Sequence, residues 1–460
     1  MLFFSGRDFA SRSLFCSTTR ALFRTGKQAY NSPLAGPTGN LLVTRSSLSE
    51  NTLGLKLRLQ ETFAAMQHYN YRLWFYGQVV SLVGTWMQIT AQGYLVYQLT
   101  GSPAYLGLVG FANGLPAWLF TLFGGVVADR ISRRNLMVIT QSAMLALAFI
   151  LAALTFTGLV QPWHILVLAF LLGTANAFDA PARVAFVNEL VSRADMTNAI
   201  ALNSTMFNIA AVVGPSVAGL TYAAFGPAWC FTINGVSFIA VIAALLLMRI
   251  QPVVQPSRRA SVLADLKEGL RYVFSHSLIL SLIGSVGLVS IFGIGMMTLL
   301  PAWATVVLHG DVTTNGWLVS ARGFGSLVSA LMLAYLGSRK FRGKLWTVGA
   351  FAMPVMLFVF ALIRWLPLSL VALVGVGWSF MMIMNNSNAM MQSQVPDHLR
   401  GRVMSVYTLV FFGSMPLGAL FAGTFAEKFN EPLTVMLGAA ALMALAIAAW
   451  VFLPGIRRQE

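Results

Sequence analysis

Long apolar runs separated by short polar breaks recur from about residue 70 to the C-terminus. They lie near 71–98, 103–127, 135–158, 163–182, 198–224, 228–249, 277–307, 312–336, 345–364, 367–393, 402–426 and 432–453. A helix crosses the hydrocarbon layer with about 20 apolar residues, and only helices or closed barrels satisfy their backbone groups there. The pattern predicts an all-α integral membrane protein with twelve transmembrane helices.

Composition agrees with this reading. The 460 residues are 57% apolar and 10% charged, with a mean hydropathy of +0.74, whereas a soluble domain carries about 25% charged residues. Cys16 and Cys230 sit in different regions and suggest neither a disulfide framework nor a metal site. The formal charge of +16 follows from where the basic residues fall. With the N-terminus cytoplasmic, 27 of the 30 Lys and Arg residues lie on the cytoplasmic side; Arg364 and Lys428 fall outside, and Arg322 lies within a span. This asymmetry predicts that both termini are cytoplasmic and makes nucleic acid an unnecessary partner.

The chain repeats itself at an offset of 209 residues. Ser81 and Gly84 meet Ser290 and Gly293, and Ala112-Asn113-Gly114 meets Ala321-Arg322-Gly323. Arg130 and Arg133 meet Arg339 and Arg342, while Asn176 and Asp179 meet Asn385 and Asn388. Farther on the offset is 201, so that Pro215 meets Pro416. Six spans return the chain to its starting side, so the copies have parallel topology, as in secondary transporters with two halves and a midplane site. The expected organisation is a basic N-terminal extension at 1–65, a six-helix bundle at 66–250, a cytoplasmic amphipathic linker at 251–276, and a second six-helix bundle with a short tail at 277–460. The first 45 residues hold six basic residues and one acid, Asp8. That composition reads as a transit peptide, as a disordered tail, or as sequence upstream of a true start at Met66. In the linker, Ser261 is positioned to cap a helix with Leu266, Leu270, Val273 and Phe274 on one face.

Polar stripes mark the candidate transport path. Gln78, Ser81, Thr85, Gln88 and Gln92 are spaced 3, 4, 3 and 4 residues apart, on one face of the first span. Amides facing lipid would lack partners, so this face meets either a wet cavity or a neighbouring helix. Asn176, Asp179 and Arg183 share a face of the fourth span; Asp179 and Arg183 are four apart and suited to pair. Asn208 lies in span 5, Asn385 in span 10 and Arg322 inside span 8, where a charge is costly and faces a cavity or a partner. Met381, Met382, Met384, Met390 and Met391 offer either a pliable ligand wall or ordinary packing.

Enzymatic chemistry has no foothold. The segment from Gly337 to Lys344 has one residue too many for a P-loop and continues into Leu345. The histidines are dispersed without metal-ligand spacing, and no nucleophile elbow occurs. No cofactor is implied, and transport would draw on a gradient.

The loop Gly124-Gly125-Val-Val-Ala-Asp129-Arg130-Ile-Ser-Arg133-Arg134 resembles the signature between spans 2 and 3 of the major facilitator superfamily, with Ser132 replacing the usual Gly. The resemblance implies a cytoplasmic gate built from Gly125, Asp129, Arg130, Arg133 and Arg134 together with Asp179 and Arg183. In it, a relay of Asp129, Arg133 and Asp179 latches the outward-facing state. Gly214-Pro215-Ser216-Val217-Ala218-Gly219 is similar to the antiporter signature of exporters, with Ala218 replacing one Gly. Physically, Gly214, Pro215 and Gly219 would supply a bend and a tight seam. Asp179-Ala-Pro181-Ala-Arg183, Glu268-Gly269-Leu270-Arg271 and Arg400-Gly401-Arg402-Val403 extend the likeness to the enterobactin-exporter-like branch, whose members export siderophores, drugs or related metabolites. Ala211 stands where many members carry Arg.

These readings converge on a bacterial inner-membrane exporter, expected as a monomer, moving a small, partly apolar organic molecule by alternating access with protons as the coupling ion. The expected cavity is lined by Ser81, Thr85, Gln88, Gln92, Asn208, Arg322 and Asn385. No Asp or Glu lies near the middle of a span, which keeps open a uniporter or importer without proton coupling. A non-transporting scaffold or sensor is the alternative from another class.

Overall fold

The computed structural model describes residues 63–249, 262–336 and 341–457, without the side chains of 121–130, 262 and 263. Nearly all of the N-terminal extension, together with Ser261 and Arg339, therefore lies outside the described residues. The chain forms α1 (Tyr69–Thr100), α2 (Pro103–Arg130), α3 (Arg133–Phe156), α4 (Pro162–Leu190), α5 (Met196–Phe225), α6 (Pro227–Leu247) and α7 (Val262–Ser275). There follow α8 (Ser277–Val307), α9 (Val312–Leu336), α10 (Arg342–Leu362), α11 (Leu366–Gln394), α12 (Asp397–Lys428) and α13 (Glu431–Phe452). No strand occurs among the described residues. Ten helices, α3–α6 and α8–α13, are long and apolar enough to cross a membrane. The expected count of twelve also requires α1 and α2, which are 32 and 28 residues long and pack among the others.

Local chemistry sets the helix ends. The Ser132 hydroxyl accepts the Asn135 N–H at the start of α3, and the Asn430 side chain accepts the Leu433 N–H at 2.8 Å at the start of α13. Gly101 ends α1 at φ 62°, a left-handed conformation that glycine adopts without strain. α8 is irregular: wide turns at Ser290–Ile294 and Trp303–Val307 flank a tight turn at Gly295–Leu299. Pro301 lacks the N–H that would continue the helical ladder. Gly295 lets the backbone press on Gly418 of α12.

Outward-facing apolar side chains such as Ile139, Leu220, Ile239 and Val371 cover the helix exteriors, a surface suited to lipid rather than water. Exposed Trp163, Trp229 and Trp365 ring one end, and Tyr69, Tyr335 and Trp450 lie toward the other. Aromatic residues concentrate at membrane–water boundaries in this way.

Two seams join the first half, α1–α6, to the second, α7–α13. In one, α2 meets α12 and a Cβ at Gly107 would lie 2.6 Å from the Ala419 carbonyl oxygen. In the other, α5 meets α9 and a Cβ at Gly316 would lie 2.5 Å from the Pro215 carbonyl oxygen. Gly107 and Gly316 are 209 residues apart, as are Gly114, which abuts Pro416, and Gly323, which abuts Ala211. The repeat in the sequence thus falls on equivalent close-approach points in both seams.

The seams seal the end of the bundle that carries the Gly101 and Gly226 turns. A core of Met87, Leu95, Leu106, Ala218, Tyr222, Phe231, Ala302 and Val312 spans both halves there. Glu427 of α12 accepts from the Ser102 hydroxyl at 2.7 Å and from the Ala104 N–H at 3.3 Å, at the start of α2. At the basic end, which carries Arg133, Arg193, Arg342 and Arg402, the cores stay within one half. Trp74, Phe186 and Leu245 belong to the first, and Val273, Met391 and Val403 to the second. The described hydrogen bonds between the halves, from Ser102, Ala104 and Ser320, lie in the seams or at the sealed end.

The linker helix α7 belongs to the second half. Leu266, Leu270 and Val273 pack into its core, while Phe274 faces outward. Arg402 reaches Asp265 at 2.8 Å and Glu268 at 2.7 Å, and Gly269 lets α7 approach the Arg402 carbonyl.

Candidate functional site

Arg322 sits near the middle of the 25-residue α9. Exposed Trp317, Phe324 and Leu331 mark the lipid-facing side of this helix. At 3.6 residues per turn, they lie roughly 140–180° around the axis from Arg322. The guanidinium therefore projects into the bundle. Gly323 brings the backbone beside it against Ala211 of α5, and Gly377 of α11 abuts the Arg322 carbonyl. Arg322 thus stands at mid-depth where the halves meet. Two residues toward the sealed end, Ser320 donates to the Val212 carbonyl at 2.6 Å and lies 2.7 Å from the Ser216 hydroxyl.

The other expected cavity residues divide by environment. Gln88 is buried and accepts from the Asn234 amide of α6 at 2.6 Å, so it serves the α1–α6 seam. Gly84, on the same face, abuts Asn234 and Ser237, and Ser81 and Gln92 are buried. Gln88 thus meets a neighbouring helix, because α6 supplies a polar partner at the matching height. Thr85 is half-buried. Asn208 is buried and donates to the Ser204 carbonyl at 2.8 Å within α5. Asn385 is exposed, while its neighbour Asn386 is buried and back-bonded to Met382. Gly214 abuts Val83 and Trp86 of α1, and Gly219 abuts Thr313 of α9. The Gly-Pro segment of α5 therefore packs tightly on both helices.

An aromatic wall lines the second half near Arg322's level and toward the basic end. Phe380 stacks on Phe411, Phe411 on Tyr407, and the Tyr407 hydroxyl meets the Met384 sulfur at 4.0 Å. Met382, Met390 and Met391 are core residues with almost no exposure. Packing accounts for these three, whereas Met384 touches the aromatic wall. Trp118 of α2 is exposed and abuts Gly413 of α12.

At the basic end, Gly125, Asp129 and Arg130 fall among residues whose side chains are not described, so the expected relay lies partly outside the described residues. Arg133 pairs with Glu189 at 2.6 Å and donates to the Ala185 carbonyl, both on α4. Arg134 donates to the Leu246 carbonyl at 2.9 Å. Asp179 is wholly buried and accepts from Thr140 at 2.8 Å and Gln141 at 3.1 Å, both on α3. Arg183 lies 3.7 Å from its other oxygen.

The match to a family model described as transmembrane secretion effector runs over residues 60–458. The chain belongs to that family, within the major facilitator superfamily. This branch contains drug and siderophore efflux proteins, and its members are transporters rather than enzymes. The chain is 30% identical over 390 residues to the multidrug efflux pump Tap of Mycolicibacterium fortuitum, covering 82% of this chain and 94% of that one. It is 25% identical over 412 residues to the enterobactin exporter EntS of Escherichia coli, covering 85% and 93%. Its fold is similar to a bacterial homologue of the human lysosomal transporter Spinster, solved inward-facing and unoccupied, with a TM-score of 0.63, 15% identity, and coverage of 85% and 95%.

Several features of this family member escaped the sequence reading. Glu189 is the described ion-pair partner of Arg133, and Asn234 the partner of Gln88. A signal for the second was present: Asn234 and Ser237 stand three apart in an otherwise apolar span. Glu427 gave no such signal, because its partners lie more than 300 residues away.

Proposed function

We propose that this chain exports a small, partly apolar organic molecule across the bacterial inner membrane by alternating access. Twelve spans form two six-helix halves, both termini are cytoplasmic, and the protein works as a monomer. The observation that carries the reading is the one-sided closure. The halves are joined by two glycine seams and by Glu427 at one end, and their cores separate at the basic end. With the basic end cytoplasmic, this is an inward-facing state ready to load substrate. Arg322, Thr85, Asn208 and Asn385 face the path, with Phe380, Phe411 and Met384 as its apolar wall. Gln88, Ser81 and Gln92 hold the wall in place. Asp129, Arg133 and Asp179 close the cytoplasmic gate in the opposite state. The outward direction and the class of substrate follow the efflux activities named for Tap and EntS.

Proton exchange is the coupling this reading favours, and Asp179, the one wholly buried carboxylate among the described spans, is the default candidate to carry it. The second reading is transport without proton coupling. It draws on the bonds that already engage Asp179 from α3 and Arg183. Inside-out vesicles with an acidic lumen and a pH-sensitive dye separate the two. Ligand-dependent proton release that vanishes in Asp129→Asn supports antiport. Substrate equilibration without proton movement supports the second reading. A panel of siderophores, dyes and antibiotics that elicits neither, with correctly inserted protein, overturns the exporter reading.

A further inference from the structure

On that exporter reading, Arg322 bears on the charge of the cargo. The Arg322 guanidinium has a buried Nε without a partner, and among the described residues no hydrogen bond or ion pair engages the group. The helices packed on α9 are α1, α5, α8 and α11. Neither they nor α9 itself contains a single Asp or Glu. None of the described helices packed on α9 therefore offers a carboxylate to this cation. A permanent positive charge at mid-depth is costly without an anion or water. A fork of planar N–H donors is also the side chain best matched to a carboxylate or phosphate.

A second unpartnered polar group shares the face. Asn315 is 1% exposed, and both atoms of its amide lack partners. It lies seven residues before Arg322, two turns along the same side of α9. A buried amide with both ends idle is unusual and supplies one donor and one acceptor beyond the cation. Toward the basic end, the Phe380–Phe411–Tyr407 stack and Met384 give the same site an apolar wall.

We propose that this transporter's substrate is an amphiphilic organic acid, its anionic group held by Arg322, its polar substituents by Asn315 and its aromatic or apolar body by the Phe380–Phe411 wall. The anion is the counter-charge that the protein does not supply. A cationic substrate would meet Arg322 with like charge and no compensating acid on five helices.

Two dyes with the same xanthene frame and opposite charge test this: anionic carboxyfluorescein and cationic rhodamine 123. Binding is read by fluorescence polarisation on the full chain in nanodiscs, and transport by uptake into inside-out vesicles. Carboxyfluorescein is expected to bind more tightly than rhodamine 123. Arg322→Gln should lower the ratio of carboxyfluorescein to rhodamine 123 affinity by at least about tenfold, and Arg322→Lys should restore part of it. Thermal unfolding of each variant checks that it is folded; if Arg322→Gln fails to fold, Arg322→Lys and Asn315→Leu carry the comparison. Tighter binding of rhodamine 123 to the native chain, or equal loss of both dyes in a folded Arg322 variant, overturns the proposal. Selective carboxyfluorescein binding without uptake of either dye upholds the anion site and overturns the exporter reading instead. Uptake of rhodamine 123 alone does the reverse.

Discussion

Gly316 offers a sharp test of the seam that closes one end of the molecule. A Cβ added there would lie 2.5 Å from the Pro215 carbonyl oxygen and 3.2 Å from the Gly219 Cα. Both are backbone atoms and cannot swing aside. Gly316→Ala therefore pushes α5 and α9 apart, an overpacking that costs about 1–3 kcal/mol. Separation also threatens the Ser320 bond to the Val212 carbonyl, worth about 0.6 kcal/mol in a membrane interior. Alanine's better helix propensity, about 1 kcal/mol, acts equally on every conformation in which α9 is helical and drops out of the comparison. The net shift, about 1–3 kcal/mol, moves the balance by about 5–150-fold toward states with the seam open. Spin labels at Phe225 and His309, both exposed at the sealed end, report the separation by double electron–electron resonance. Gly284→Ala is the control, because its Cβ would meet nothing within 4 Å. A longer-distance population should appear in Gly316→Ala alone. A wild-type distance distribution in a folded Gly316→Ala protein would refute the claim that backbone contact at this glycine holds the end closed.

Three further outcomes follow from the described contacts. Gln88→Leu strips the Asn234 amide of its acceptor; the double-mutant cycle in unfolding experiments should give a coupling of about 0.6 kcal/mol, with ~1.7 kcal/mol as the ceiling. Arg402→Ala removes both ion pairs of α7, which are partly exposed and worth about 0.2–1 kcal/mol each; limited proteolysis between residues 251 and 276 should accelerate while the remaining helices stay resistant. The Asp195 carboxyl is held below the ordinary carboxylate range by hydrogen bonds from His68 and Ser192, the largest causes, and from Gln67. Its folded-state value is lowered, so the stability it lends is present above the ordinary value and lost as pH falls through the lowered one. His68→Ala should move that loss to higher pH in thermal unfolding scans; an unchanged acid limb would show that this cluster contributes nothing.

How much of this was legible in the chain depends on the range of the interaction. The membrane-spanning helices, their order and the parallel repeat follow from apolar runs and a fixed offset, because each helix satisfies its own backbone within lipid and needs no distant partner. Arg322 stood out for the same reason: one cation inside an apolar run is visible without neighbours. Local devices were also readable. The Asp179–Arg183 pair obeys the four-residue helix spacing, and the Gly-Pro segment announced the close approach now seen at Gly214 and Gly219.

Partnership between helices was not readable. The first-span stripe pointed to a cavity, with a helix seam as the alternative, and only the placement of α6 assigns Gln88 to Asn234. Arg133 meets Glu189 because α3 and α4 pack antiparallel at that height, a geometry that residue types alone do not encode. The closing of one end by Gly107, Gly316 and Glu427 is likewise a property of the assembled halves. A helix's existence rests on hydrogen bonds within four residues, so the sequence alone determines it. Which of its faces meets another helix, and at which height, depends on contacts between residues tens to hundreds of positions apart, so only the tertiary structure decides it.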